Sequence, residues 1–159
     1  MQEWPEPVER VAAVLRNAGV DARLEEFSDG TATAVAAAAA LGCDVDQIVK
    51  SLVFICDGRP VLALVPGDCR ADPDKVAAAA GARYARVASL DEVRAATGFE
   101  PGAVAPFPAS DATRVVVDRE LLRHPTVWAG AGSAHHVVGL SPLDVVRLTR
   151  AELADLAEA

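Results

Sequence analysis

Aromatic residues make up only 4% of this 159-residue chain. So few rings argue against a base-stacking platform of the kind that RNA-recognition sheets carry. Lysine is scarce too: of 15 basic residues only Lys50 and Lys75 are lysines. The basic set is outnumbered by 23 Asp and Glu, for a net charge of −8. That balance excludes a broad electrostatic footprint on nucleic acid, while leaving room for a small basic pocket at one nucleotide end. No run of about 18 apolar residues occurs, so nothing reads as a membrane span. The polar, proline-broken stretch from Met1 to Pro7 does not read as a signal peptide. The three cysteines, Cys43, Cys56 and Cys69, form no CxxC pair. An odd count without that spacing suits reduced thiols, and a cytoplasmic location is expected.

What the chain has in quantity is alanine, 33 residues within a hydrophobic share of 52%. That apolar content excludes a disordered chain. The length fits one domain over residues 1–159, able to bury roughly 70% of its unfolded surface. Alanine builds helices more than thick cores, so several short helices are expected.

Pro5 and Pro7 precede a helical pattern of Val8, Val11, Ala12 and Leu15 that stops at Gly19. Ala22 to Phe27 reads as a short strand, and Asp29-Gly30 as a turn. Thr33 can cap a helix from Ala34 to Leu41, with Gly42 as its stop. Asp44 can cap one further turn. Ser51 to Cys56 and Pro60 to Val65 are continuous apolar runs flanking Asp57-Gly58, which predicts a hairpin buried on both faces. Asp72-Pro73 opens a helix ending at Gly81, and the Ser89/Glu92 capping box opens another that stops near Gly98. Gly98 to Asp111 shows no period and reads as a long loop. Arg114 to Asp118, Thr126 to Ala129 and His135 to Leu140 read as strands, the last of them final. Ser141-Pro142 starts a terminal helix, and Thr149 with Glu152 forms a further capping box. The order predicts an α+β domain, short helices surrounding one central mixed, barrel-like sheet.

Lys50 lies where a helical turn meets a buried strand. An ammonium there faces apolar neighbours and needs an anion or an oxygen dipole; the alternative is a lysine that snorkels out to solvent. Lys75, in the first turn of an exposed helix, has only a structural reading. The loop with Gly102, Val104, Pro106 and Phe107 can present backbone N–H and C=O groups to a ligand, or be an irregular connection packed by Phe99 and Phe107. Gly130-Ala-Gly132-Ser133 is a small-residue turn open to close approach, without the Gly-Lys-Ser/Thr of a phosphate loop. His135 and His136, adjacent on a strand, point to opposite faces and cannot easily share a metal. No Gly-x-Ser-x-Gly elbow is present, so hydrolytic chemistry here must work without a protein nucleophile. A thiol-dependent enzyme would have to use a cysteine with no activating neighbour in sequence.

Taken in order, several segments resemble a known family. They are Thr33 with Leu41-Gly42, Gln47-Ile-Val-Lys50-Ser51-Leu-Val-Phe54, Pro60 to Gly67, Thr97-Gly-Phe99, Gly102-x-x-x-Pro106-Phe107, Val127-Trp128-x-Gly130-x-Gly132, and Leu140-Ser-Pro142 with Leu148-Thr149. The set is similar to the YbaK/EbsC family, the prolyl-tRNA synthetase-associated (ProX-type) editing domains. The resemblance implies a free-standing hydrolase acting in trans. It would cut the ester between a wrongly attached amino acid and the terminal adenosine of a tRNA, often the tRNA for proline, with no metal and no organic cofactor. It implies catalytic roles for Lys50, holding the substrate carbonyl or terminal phosphate, and for Gly102, whose loop backbone places the water or the α-amino group. It implies substrate contacts at Thr33, Ser51, Val104, Pro106, Phe107, Gly130, Gly132 and Ser133, and assistance from the tRNA's own ribose hydroxyl. The 3′ acceptor end is then the partner, with an aminoacyl-tRNA synthetase a further one. The Gly130–His136 stretch departs from the family in carrying no Arg or Lys. The competing reading is a non-catalytic module that holds a nucleotide or metabolite or docks on a synthetase. Placement of the Lys50 amine in bulk water, away from the proline-bounded loop, would remove the chemistry from the first reading.

Overall fold

The computed structural model describes residues 4–28 and 33–159; the expected turn at Asp29-Gly30 lies outside them. The described helices are α1 (Glu6–Ala18), α2 (Ala34–Leu41), α3 (Pro73–Ala79), α4 (Leu90–Thr97) and α5 (Pro142–Thr149). The described strands are β1 (Arg23–Glu26), β2 (Ile48–Cys56), β3 (Arg59–Pro66), β4 (Ala85–Val87), β5 (Arg114–Asp118), β6 (Val127–Gly130), β7 (His136–Leu140) and β8 (Glu152–Ala154). They form one mixed sheet in the order β1-β7-β6-β2-β3-β5-β8, with β4 also pairing β2.

The β2–β3 hairpin is the centre of that sheet. Asp57 and Gly58 both take positive φ, 49° and 83°, the turn whose twist matches paired antiparallel strands. Asp57 is held there by its carboxylate, which accepts from Arg83 N at 2.9 Å and Tyr84 N at 3.2 Å. Alternate residues of the two strands enter opposite cores. Val49, Val53, Leu62 and Leu64 join Phe99, Phe107 and Val127 on one face. Phe54, Cys56, Val61, Ala63 and Val65 join Val76 of α3 and Leu156 on the other. Burial of both faces explains why these runs carry no polar alternation. Each fully buried Val or Leu contributes on the order of 1.5–3 kcal/mol.

The helix boundaries follow local chemistry. The Thr33 hydroxyl accepts from Ala36 N at 3.0 Å and starts α2. The Ser89 hydroxyl accepts from Glu92 N at 3.2 Å, while Glu92 accepts from Ser89 N at 2.8 Å. Glu92 also receives both guanidinium nitrogens of Arg86 at 2.8 Å, tying α4 to β4. The Arg86 fork, with the Ser89 N–H, holds the Glu92 carboxyl down at about 2. A depressed carboxyl stabilises the fold above its unfolded value and loses that contribution as pH falls through the folded value. The stability difference between wild type and Glu92→Gln should therefore stay constant from neutrality to about pH 5 and vanish as pH approaches 2; urea titrations across that range measure it.

Two expectations are corrected. Thr149 and Glu152 do not open a helix: Arg150 takes φ 54° and ends α5, the Thr149 hydroxyl donates back to Val145 O at 2.7 Å, and Glu152 starts β8, parallel to β5. The strand at His136–Leu140 is therefore not the last. Two short elements had no sequence signal, β4 and a 3-10 turn at Arg119–Arg123 capped by the buried Asp118. Lys75 latches the C-terminal segment, donating to Asp155 at 2.8 Å and to Ala157 O at 2.7 Å.

Candidate active site

The site arises from an interruption beside β2. On the flank away from β3, β6 pairs only Ile48 and Val49, and β4 pairs Phe54 to Cys56. Ala88 N extends the β4 side to Val53 O at 3.0 Å. Between them, no described strand lies alongside residues 50–52. In a two-residue hairpin the pair nearest the turn, here Cys56 and Arg59, exchanges both backbone bonds, and alternate pairs repeat this. Ser51 therefore turns its N–H and C=O into the gap. Its side-chain hydroxyl is buried and has no hydrogen-bond partner among the described residues.

Two cavities meet at this gap. The first, about 580 Å³, is lined by Thr33, Lys50, Ser51, Gly102, Val104, Gly130 and Ser133 of the expected set, together with Trp128 and His136. The second, about 570 Å³, shares Lys50, Ser51, Leu52, Gly102 and Val104 with it. The residue 102–104 segment thus stands opposite Lys50–Leu52, and the two together divide one cleft into two chambers. Lys50 is half-buried and donates from Nζ to Cys69 O at 2.6 Å. Its amine is not in bulk water, and it lies in the concavity that holds the loop.

The loop is pinned at its ends. Arg10 of α1 donates to Gly98 O at 2.8 Å and lies 4.7 Å over the Phe99 ring. The Thr97 hydroxyl accepts from Phe99 N at 3.0 Å, and the Thr113 hydroxyl donates to Ala96 O at 2.9 Å. Gly102 is exposed with φ 85° and nothing near its missing Cβ, so a side chain there would be strained by the backbone and not by crowding. Gly130 differs: a Cβ would come within 2.8 Å of Val104 O, so the loop reaches the end of β6 only because that position is glycine.

Three expected contacts lie elsewhere. Phe107 is 2% exposed within the core, and the neighbouring Pro106 is buried with it. Gly132 is buried against Pro7 O and the Phe99 ring. None of the three lines either chamber; they hold the loop and turn in place from behind. His136, Arg70 and the apolar wall of the second chamber were not anticipated as lining residues. For His136 the signal was present, since strand alternation turns it inward while His135 faces out to bond Phe27 O at 2.9 Å. The Ser133 hydroxyl is engaged by His136 Nδ1 at 2.6 Å. For Arg70 and the far wall there was none, because the C-terminal segment and α4 come together only in the fold.

The thiols are poor nucleophiles. Burial pushes the Cys69 thiol up to about 11, helped by its hydrogen bond to Asp68. Burial also raises Cys43 and Cys56, each next to an aspartate whose charge adds to the effect. A thiolate is the reactive form, so a triple Cys→Ser variant that folds should match, within about twofold, whatever ester hydrolysis the unsubstituted protein shows; side-by-side rate measurements test this.

Comparison with known proteins follows the same lines. Residues 28–148 match the model of the aminoacyl-tRNA editing domain. The chain is 35% identical over 121 residues to the uncharacterized protein YwhH of Bacillus subtilis (strain 168), covering 76% of each. It is 34% identical over 113 residues to the proline–tRNA ligase of Streptococcus equi subsp. equi (strain 4047), where the match covers 70% of this chain but only 18% of the ligase. A solved structure described as a candidate trans-editing enzyme for prolyl tRNA synthetase superposes with a TM-score of 0.88 at 35% identity, covering 99% of this chain and 100% of that one. Among the described residues no helix is long and apolar enough to cross a membrane. On the extent of the matched segment, the chain belongs to the aminoacyl-tRNA editing domain family.

Proposed function

We propose that this protein is an aminoacyl-tRNA deacylase acting in trans on mischarged tRNA, with tRNA for proline as the substrate class. The observation that carries the reading is the divided cleft, in which the half-buried Lys50 and the unpaired backbone edge at Ser51 face the Gly102–Val104 loop. An ester needs only a positioned water and stabilisation of the oxyanion that forms when water adds to its carbonyl. Lys50 supplies a cation beside that oxygen, already oriented by the Cys69 carbonyl. The Ser51 N–H is a second donor toward the same gap. Water adds to the carbonyl carbon, the bond to the ribose oxygen breaks, that oxygen takes a proton, and the amino acid leaves as its acid. The vicinal ribose hydroxyl can relay the proton, so no side-chain base is required. Ala34, Ala37 and Ala129 in the wall of the first chamber suit a small amino-acid side chain.

The ligases that resemble this chain are about five times longer than the matched segment, so action without a synthetase body is part of the proposal. The test is a panel of mischarged tRNAs incubated with the protein. Deacylation of at least one well above its spontaneous rate is expected. Binding to a synthetase or nucleotide with no hydrolysis of any member would overturn the reading in favour of a docking module.

A further inference from the structure

Arg70 stands apart from most of the chain's arginines. Among the described residues, eight of the others hold an ion pair with a carboxylate. The Arg70 guanidinium makes no ion pair or side-chain hydrogen bond with a described residue, although Glu158 shares its rim. Its backbone is nonetheless fixed: Glu158 N donates to Arg70 O at 2.8 Å, Asp72 N to Leu156 O at 2.7 Å, and Ala71 bridges Ala157. A guanidinium with no carboxylate partner among the described residues, on a tethered backbone, is available to an anion at this rim. Among the described residues it is the only arginine that lines either chamber.

The chamber it guards is the more apolar in its side chains. Leu52, Val53 and Val93 form its wall, and Val87 and Leu90 at its lip are 72% and 62% exposed. Exposed apolar residues beside a cavity of about 570 Å³ mark a surface for a flat apolar ligand. The ester of a charged tRNA joins two parts, an amino acid and a nucleotide, and the cleft has two chambers meeting at Lys50–Leu52. The first chamber has the smaller apolar share: Ile48, Trp128 and Val137 line it beside alanines, Thr33, Ser133 and His136.

We infer that the second chamber seats the terminal nucleotide of the tRNA, its base against Leu52, Val87, Leu90 and Val93 and its phosphate on Arg70. This rests on the deacylase reading above and assigns the two halves of that substrate to the two halves of the cleft. Arg70 binds and does no chemistry.

The test titrates the intact protein with adenosine 5′-monophosphate and, separately, with adenosine, following backbone amides by NMR. Shifts at Val87, Leu90 and Val93, with Thr33 and Gly130 unmoved, are expected for both ligands. Arg70→Ala should weaken the monophosphate about tenfold and leave adenosine unchanged, and Arg70→Lys should recover part of the loss. In parallel, Arg70→Ala should raise KM for an aminoacyl-tRNA with kcat held. Shifts confined to the first chamber, equal weakening of both ligands, or no shifts at millimolar monophosphate would overturn the inference. If wild type still deacylates in those cases, the deacylase reading survives. Nucleotide binding at the second chamber without hydrolysis of any aminoacyl-tRNA would overturn that reading instead.

Discussion

Lys50→Ala will reduce single-turnover deacylation by about 10²-fold or more, the usual loss when one preorganised oxyanion donor is removed, and will leave the fold intact. The second half of that expectation is structural. Lys50 Nζ bonds one carbonyl, Cys69 O, on a half-buried residue where water can take the place of the amine. Its β2 neighbours Val49 and Val53 are core residues on the other face and keep their packing. A melting temperature near that of wild type, measured with the rate, separates chemistry from collapse. Lys50→Arg should recover little, because a planar fork cannot replace a compact ammonium in a site shaped for one. Deacylation by Lys50→Ala within a few fold of wild type would sink the assignment.

Phe107→Ala should produce the largest loss of stability, about 3–5 kcal/mol for emptying a buried aromatic site. At the usual size scaling that is a fall in Tm of roughly 6–20 °C. The ring is 2% exposed in the same core as Phe99, Val127 and Leu140. It anchors the loop from behind while Gly102 and Val104 face the cleft. Loosening that anchor should also raise KM. Phe107→Leu, which refills most of the volume, should restore both stability and KM; calorimetry with steady-state kinetics reads the two together. Restored stability with KM still raised would show that the ring contacts substrate after all, against its position in the core.

Much of the framework was legible because it is written in short-range chemistry. Thr33, Ser89, Gly19, Gly42 and Gly98 mark helix ends through bonds that span a few residues. Asp57-Gly58 sets the central register through its own backbone angles. Where the sequence misled, a distant partner decided. The Thr149–Glu152 pattern satisfies the local rule for a helix start, yet pairing with β5 and the Arg114–Glu152 ion pair draw Glu152 into a strand. Pro106, Phe107 and Gly132 sit within a recognisable pattern, but a pattern does not distinguish a residue that touches a ligand from one that supports the residue that does. The partner of Lys50 was illegible for the same reason: Cys69 O is brought to it by the β2–β3 register. The lysine itself was legible, since a chain that writes almost every cation as arginine keeps this one.

The pin from α1 has a further consequence. The match to the editing-domain family begins at residue 28, after α1 has ended. Yet Arg10 grips Gly98 O, Pro7 O backs Gly132, and Val8 and Val11 are completely buried. An excised version trimmed to the start of that match would lose the clasp at the root of its own loop, so the packed fold reaches beyond the stretch that the family match delimits.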